Sequence, residues 1–191
     1  MKKTVWIATS NTHKLEEFAE MLGDQVTIKS FRDLKDPVEV EENGTTFEAN
    51  ALIKANALYN IVHEPVFADD SGIEVDAMDK MPGVYSARFL GEDTSYDIKN
   101  EHIMKEVEGK DRTARYVCVI AYVDENTQKT YRGEVEGEIY DRQLGSNGFG
   151  YDPIFYYPPY KTTLANVSDE KKHAISHRGV ALRKYLEDHA L

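Results

Sequence analysis

At 191 residues, with 41% hydrophobic and 30% charged side chains and no biased tract, the chain suits one ordered domain spanning residues 1–191. No apolar run approaches the about 18 residues of a membrane span. The net charge of −11 argues against non-specific binding to nucleic acid or acidic membranes. It leaves room for an anionic small molecule, provided that a few cations cluster locally or a metal ion is recruited.

Met1-Lys2-Lys3-Thr4-Val5-Trp6-Ile7-Ala8-Thr9 opens like a signal peptide, but its apolar stretch is short and polar Ser10-Asn11-Thr12-His13-Lys14 follows at once. Lys3 to Thr9 therefore reads as a strand, and Leu15, Phe18 and Leu22 mark one face of the helix after it. Val26 to Phe31 reads as a second strand and Arg32 to Gly44 as an acidic loop. Thr45-Thr46-Phe47-Glu48 offers a capping box for a helix carrying Phe47, Ala51, Ala55, Leu58 and Val62 on one face. Pro65 to Ala68 reads as a short strand that stops at Asp69-Asp70-Ser71-Gly72, with Ile73 to Ala77 resuming an extended pattern.

Pro82-Gly83 marks a turn, and Asp97 to Val107 a helix. Ala114 to Val123 is apolar on both alternating faces, as in a strand covered on both sides. It contains the single cysteine, Cys118, so intramolecular disulfides are impossible; a buried structural thiol and a cytoplasmic setting are expected. Glu125-Asn126-Thr127 turns the chain into a hairpin partner, Thr130 to Tyr140. A glycine-rich loop from Gly145 to Asp152 leads into Pro153-Ile154-Phe155-Tyr156, and the tail from Ser168 reads as helix in two pieces broken near Ser176 to Gly179. The fold class is α/β with a mixed sheet.

Four segments carry candidate chemistry, each with a plain structural alternative. Thr9 to Lys14 lies where a strand ends and a helix begins, so free backbone N–H groups, the helix dipole, Ser10, Asn11 and Lys14 suit a phosphate. An ordinary N-cap followed by a surface lysine is the plain alternative for these residues. Asp69 and Asp70 end an apolar strand; adjacent strand residues point to opposite sides, so one of the two is expected to face a site. They are either turn formers or the start of a magnesium site completed by Glu39, Glu41 or Glu42. The glycine loop lacks the Gly-Lys-Ser/Thr ending of a P-loop and the glycine order of the dinucleotide fingerprint. It either brings backbone against a flat ligand, with Phe149 or Tyr151 stacking, or is a hairpin exit with core aromatics. His173 and His177 have zinc-site spacing, but Ala174 replaces the glutamate of the metalloprotease motif and no cysteine assists. Lys172, His177 and Arg178 suit an anion or a carbonyl-rich ligand better; a solvated helix end is the alternative.

Taken in order, Ser10 to Lys14, Thr46 to Ala51, Ala68 to Gly72, Pro82 to Arg88, Gly148 to Pro153 and Ala174 to Gly179 resemble the inosine triphosphate pyrophosphatase family, the non-standard purine nucleoside triphosphate pyrophosphatases. Any one segment is weak; together they span the chain. Ser10 stands where glycine is common and Lys171 where a glutamate is expected. The related septum-formation-inhibitor-like enzymes carry Ser-x-Arg-Arg at the N-terminal turn, which Asn11 and Lys14 do not match. A non-catalytic purine-binding module would not require Asp70 and Glu41 together.

The resemblance implies an elongated mixed sheet flanked by helices, two lobes with a central nucleotide cleft, and a homodimer. It implies hydrolysis of ITP, dITP and XTP to the monophosphate and pyrophosphate, with Mg2+ as cofactor. By position, Thr9, Ser10, Asn11, Thr12, His13 and Lys14 would hold the phosphates and Lys54 would add a cation. Glu41 and Asp70 would bind the metal, with Asp70 as the family's proton acceptor, and Ser71 would contact substrate. Phe149, Gly150, Tyr151, Asp152, Lys172, His177 and Arg178 would enclose the base.

Overall fold

The computed structural model describes residues 2–190. Its strands are β1 (Lys3–Ile7), β2 (Val26–Ser30), β3 (Val66–Val75), β4 (Met81–Pro82), β5 (Thr113–Val123), β6 (Gln128–Ile139), β7 (Phe155–Tyr157) and β8 (Thr162–Thr163). The helices are α1 (Thr12–Leu22), α2 (Phe47–Val62), α3 (Tyr96–Glu106), α4 (Asp169–Ile175) and α5 (His177–Asp188). They build a mixed sheet in the order β2-β1-β3-β5-β6-β7-β8, with β4 paired to β3. β1 runs parallel to both β2 and β3, while β7 is antiparallel to β6 and β8. Parallel neighbours need long crossovers, and α1 and α2 supply them between β1, β2 and β3. The expected α/β class with a mixed sheet is thus what the chain forms. No helix among the described residues is long and apolar enough to cross a membrane.

The chain packs as two compact units: residues 1–70, 118–133 and 179–191, and residues 71–117 and 134–178. β3, β5 and β6 each contribute residues to both. In the first unit, Val5 and Ile7 of β1, Phe18 of α1, Phe67 of β3 and Leu182 and Tyr185 of α5 share a core with Cys118 and Ile120. Cys118 is buried, as expected of a structural thiol. In the second unit, Ile73 and Val75 pack with Ile103 of α3, Tyr116, Val135, Ile139, Ile154 and Phe155.

Two local readings need correction. β3 does not stop at Asp69 but runs unbroken through Asp69-Asp70-Ser71-Gly72 to Val75. Lysines brought in from other elements, Lys54 buried and Lys14 half-buried, make an extended path through two carboxylates tolerable, so no turn is needed there. The cap of α2 is Thr46, one residue later than the capping box requires; its side chain accepts from Ala49 N–H at 3.1 Å. Glu48 therefore faces away from the cap and pairs with Arg132 at 2.8 Å.

Phe18 is fully buried and meets Phe67 edge to face, with ring centroids 5.2 Å apart. Phe18→Ala should lower unfolding free energy by about 3–5 kcal/mol through lost transfer energy and a residual cavity. Urea denaturation checks this; a loss well below that range would mean the core collapses around the gap.

Candidate functional site

The N-terminal turn is built as its sequence suggests. Asn11 caps α1, its Oδ1 accepting from Lys14 N–H at 3.2 Å, and Thr9 Oγ1 accepts from Asn11 N–H at 3.1 Å. The first turn of α1 itself holds no acidic residue to offset the helix's positive end. Thr9 is buried, whereas Ser10, Asn11, Thr12 and His13 are exposed. Sequence reasoning missed Arg32, whose Nη2 donates to Ser10 O at 2.7 Å and Thr12 Oγ1 at 2.6 Å. Nothing in the local pattern around Arg32 signals that long-range contact.

Asp69 and Asp70 are both buried, and alternation along β3 gives them different cations. Lys14 Nζ lies 3.0 Å from Asp69 Oδ2. Lys54, buried on α2, lies 3.5 Å from Asp70 Oδ1 and 2.9 Å from Glu42. Of the three loop glutamates, Glu42 is the one that pairs with this cluster; Glu39 and Glu41 are exposed. The end of the loop is pinned to α2, with Gly44 N–H donating to Asn50 Oδ1 at 2.8 Å. A Cβ on Gly44 would stand 2.7 Å from that same oxygen, so glycine is required for the approach.

The cluster sets its own protonation. Burial opposes the charge on Lys54, yet Asp69, Asp70 and Glu42 hold its pKa above the usual lysine value. Burial raises Asp70 to about 6, and Glu42 and Asp69 add to the rise against the pull of Lys54 and Lys14. Asp70 is therefore ionised at neutral pH but close to its titration. Its Oδ2 is buried and has no hydrogen-bond partner among the described residues.

That open oxygen is the test of a metal. No group of three or more His, Cys, Asp or Glu side chains among the described residues could hold an ion alone. Magnesium does not need such a cage: it keeps several waters and uses one or two carboxylates with substrate phosphate. A single buried carboxylate oxygen without a protein donor fits that pattern.

The second unit carries the other set. Asp152 is buried; its Oδ2 accepts from Lys172 Nζ at 2.7 Å and from Phe149 N–H at 3.0 Å. The loop closes over this carboxylate through Gly148, at φ +68°, where a Cβ would lie 2.2 Å from Asp152 Oδ2. The Phe149 ring is half-buried, with Lys172 Nζ 4.9 Å and the Arg178 guanidinium 5.8 Å from its centroid. Gly150, at φ +66°, is half-buried beside it, and its carbonyl accepts from Asn100 Nδ2 at 3.3 Å.

Tyr151, by contrast, belongs to the core. It is 4% exposed, donates its hydroxyl to Ser86 O and meets Tyr96 edge to face. Of the two aromatics considered for stacking on a flat ligand, Phe149 is the half-buried one. The helix break predicted near Ser176 to Gly179 narrows to Ser176, between α4 and α5. His177 and Arg178, at the start of α5, are buried, and Arg178 Nη2 donates to Ser71 Oγ at 3.0 Å.

The fold and these two sets define an α/β protein equipped for a polyanion attended by a cation and for a planar ring met by fixed donors. Residues 5–188 match the Ham1 family. The chain is 45% identical over 188 residues to a dITP/XTP pyrophosphatase of Geobacter sulfurreducens, covering 96% of this chain and 94% of that protein. It is 47% identical over 188 residues to a dITP/XTP pyrophosphatase of Desulforamulus reducens, covering 95% and 92%. The solved Staphylococcus aureus Ham1 protein matches with a TM-score of 0.86 at 40% identity, over 97% of this chain and 99% of that one. The chain belongs to the Ham1 family, which bears out the resemblance read from its motifs.

Because folding raises the Asp70 pKa from its ordinary 3.8 to about 6, the native state binds more protons than the unfolded chain between those values. Stability contributed by this group is therefore full below pH 3.8 and is lost as pH rises through about 6. Asp70→Asn keeps shape without charge. In metal-free buffer it should raise the thermal midpoint at about pH 7.5, with the gain shrinking toward pH 4. A lowered midpoint at the higher pH would show that the ion pair with Lys54 outweighs the burial.

Proposed function

We propose that the protein hydrolyses non-standard purine nucleoside triphosphates, ITP, dITP and XTP, between the α and β phosphates. The observation that carries the reading is the unpartnered Asp70 Oδ2 beside Lys54, in a chain that matches dITP/XTP pyrophosphatases almost end to end.

In this reading Thr9 to Lys14 take the phosphates at the start of α1, with Lys54 as a further cation. Asp70, with Glu41 by resemblance, holds Mg2+. A bound magnesium offsets the triphosphate charge and stabilises the pyrophosphate leaving group. Asp70 Oδ1 is engaged by Lys54, so Oδ2 is the oxygen that serves the reacting water or the ion. With a pKa of about 6, Asp70 is a competent proton acceptor at neutral pH. Ser71 contacts substrate next to it.

Phe149, Gly150, Asp152, Lys172, His177 and Arg178 enclose the base, with Tyr151 supporting the loop from the core. Hypoxanthine and xanthine present an oxygen at C6, whereas adenine presents an amine. Fixed cationic donors pair with the oxygen and are left unsatisfied by the amine, at about 1–3 kcal/mol for each buried mismatch. A homodimer, from the family resemblance, and a cytoplasmic setting, from the lone buried cysteine, complete the proposal.

Incubation of the purified protein with ITP and Mg2+ should release IMP and pyrophosphate in equal amounts by chromatography. IDP and orthophosphate as first products would overturn the assignment. Asp70→Asn should reduce kcat by at least ~10² if charge stabilisation in the transition state is lost. Asp69→Asn should be milder, because Asp69 serves Lys14; equal losses would remove the distinction between the two carboxylates. Light scattering should return about twice the 21.8 kDa chain mass, and the single-chain mass at micromolar concentration would refute the dimer.

A further inference from the structure

One buried side chain on β5 touches two members of the base set, although its sequence context reads as plain core. The Tyr116 hydroxyl donates to Asp152 Oδ1 at 3.0 Å. Its ring stacks on His177 with centroids 4.5 Å apart and planes 12° apart, and on Phe155 at 4.4 Å and 27°. Two near-parallel rings at such distances cannot share one face, so Tyr116 lies between Phe155 and His177. Phe155 is fully buried in the second unit's core. The plane of His177 is therefore referred, through Tyr116, to the core itself.

The hydroxyl has a separate effect. Asp152 Oδ2 already accepts from Lys172 and from Phe149 N–H. The bond to Oδ1 is the third, and it stops the carboxylate from turning about its own axis. Lys172 and the Phe149 backbone then inherit a fixed anchor. Burial, with Asp152 alongside, pushes the phenol well above its ordinary range, so the hydroxyl remains a donor throughout the working pH range.

We propose that Tyr116 is a positioning residue for base recognition, orienting Asp152 through its hydroxyl and His177 through its ring without itself touching the nucleotide. The inference rests on the assignment of Asp152 and His177 to the base. A polar pocket discriminates only while its groups are held in place, because a group free to swing can accommodate the wrong base.

Tyr116→Phe deletes the hydroxyl and keeps both stacks. KM for ITP should rise about three- to tenfold, the effect of one net hydrogen bond, with kcat within about twofold. Since ATP gains nothing from the fixed pocket, the ITP/ATP ratio of kcat/KM should contract by a similar factor. Tyr116→Leu also removes the ring and should contract the ratio further. Thermal midpoints of both variants are measured in parallel. A lowered midpoint with KM and the ITP/ATP ratio at wild-type values in Tyr116→Phe would reduce Tyr116 to packing and overturn the proposal. Asp152→Asn separates the two levels. If it contracts the ratio while Tyr116→Phe does not, the inference alone fails. If neither variant changes the ratio, the placement of Asp152 at the base fails with it.

Discussion

Two adjacent carboxylates buried in the middle of a strand impose the main constraint on this protein. An ionised carboxylate taken out of water is destabilising unless cations and hydrogen bonds replace its hydration. Alternation along β3 sends Asp69 and Asp70 to different partners, so two elements must deliver a lysine each. α1 has to start directly after β1 to place Lys14, and α2 has to lie so that Lys54 reaches β3. The loop before α2 then adds Glu42 to the same lysine. Two ammonium groups face three carboxylates, and the arrangement is left one positive charge short. Burial is the main cause of the elevated Asp70 pKa, and the neighbouring Glu42 and Asp69 charges add to it.

The buried carboxylate of the second unit has the opposite character. Asp152 meets Tyr116, Lys172 and a backbone N–H, so both of its oxygens are engaged. It holds shape where Asp70 offers an open oxygen. The two carboxylates thus differ in availability, although both are buried and both lie beside a lysine. The glycines around Asp152 follow as well, since the loop passes too close for a side chain at Gly148.

Much of the architecture is legible in local pattern. β5 reads as a strand because it is apolar on both faces, and α1 and α2 because their apolar residues recur at helical spacing. β3 is misread as two pieces because Asp69-Asp70-Ser71-Gly72 is locally a turn sequence. What straightens it is Lys14, 55 positions away, and Lys54, 16 positions away, and no window of neighbours contains that information. The same limit hides Arg32 on the N-terminal turn and the hydroxyl of Tyr116 on Asp152. Choosing among Glu39, Glu41 and Glu42 depends on the path of an irregular loop, which composition does not determine. Phe149 and Tyr151 differ by two positions, yet one is half-buried and the other fills the core. The family's motif order assigns roles to these residues; their contacts had to come from the fold.

The clasp between Gly44 and Asn50 has a consequence for how this segment tolerates change in length. Asn50 and Lys54 stand one helical turn apart on α2, so the residue that grips the loop and the residue that reaches Asp70 share one face. The loop is thus registered from its downstream end. Residues inserted or deleted before Glu42 alter only the slack between β2 and the clasp, whereas a single insertion between Asn50 and Lys54 would turn one away from the other by about 100° around the helix. The place of Lys54 opposite Asp70 is therefore set by the grip of Asn50 on Gly44 and not by the length of the loop upstream of Glu42.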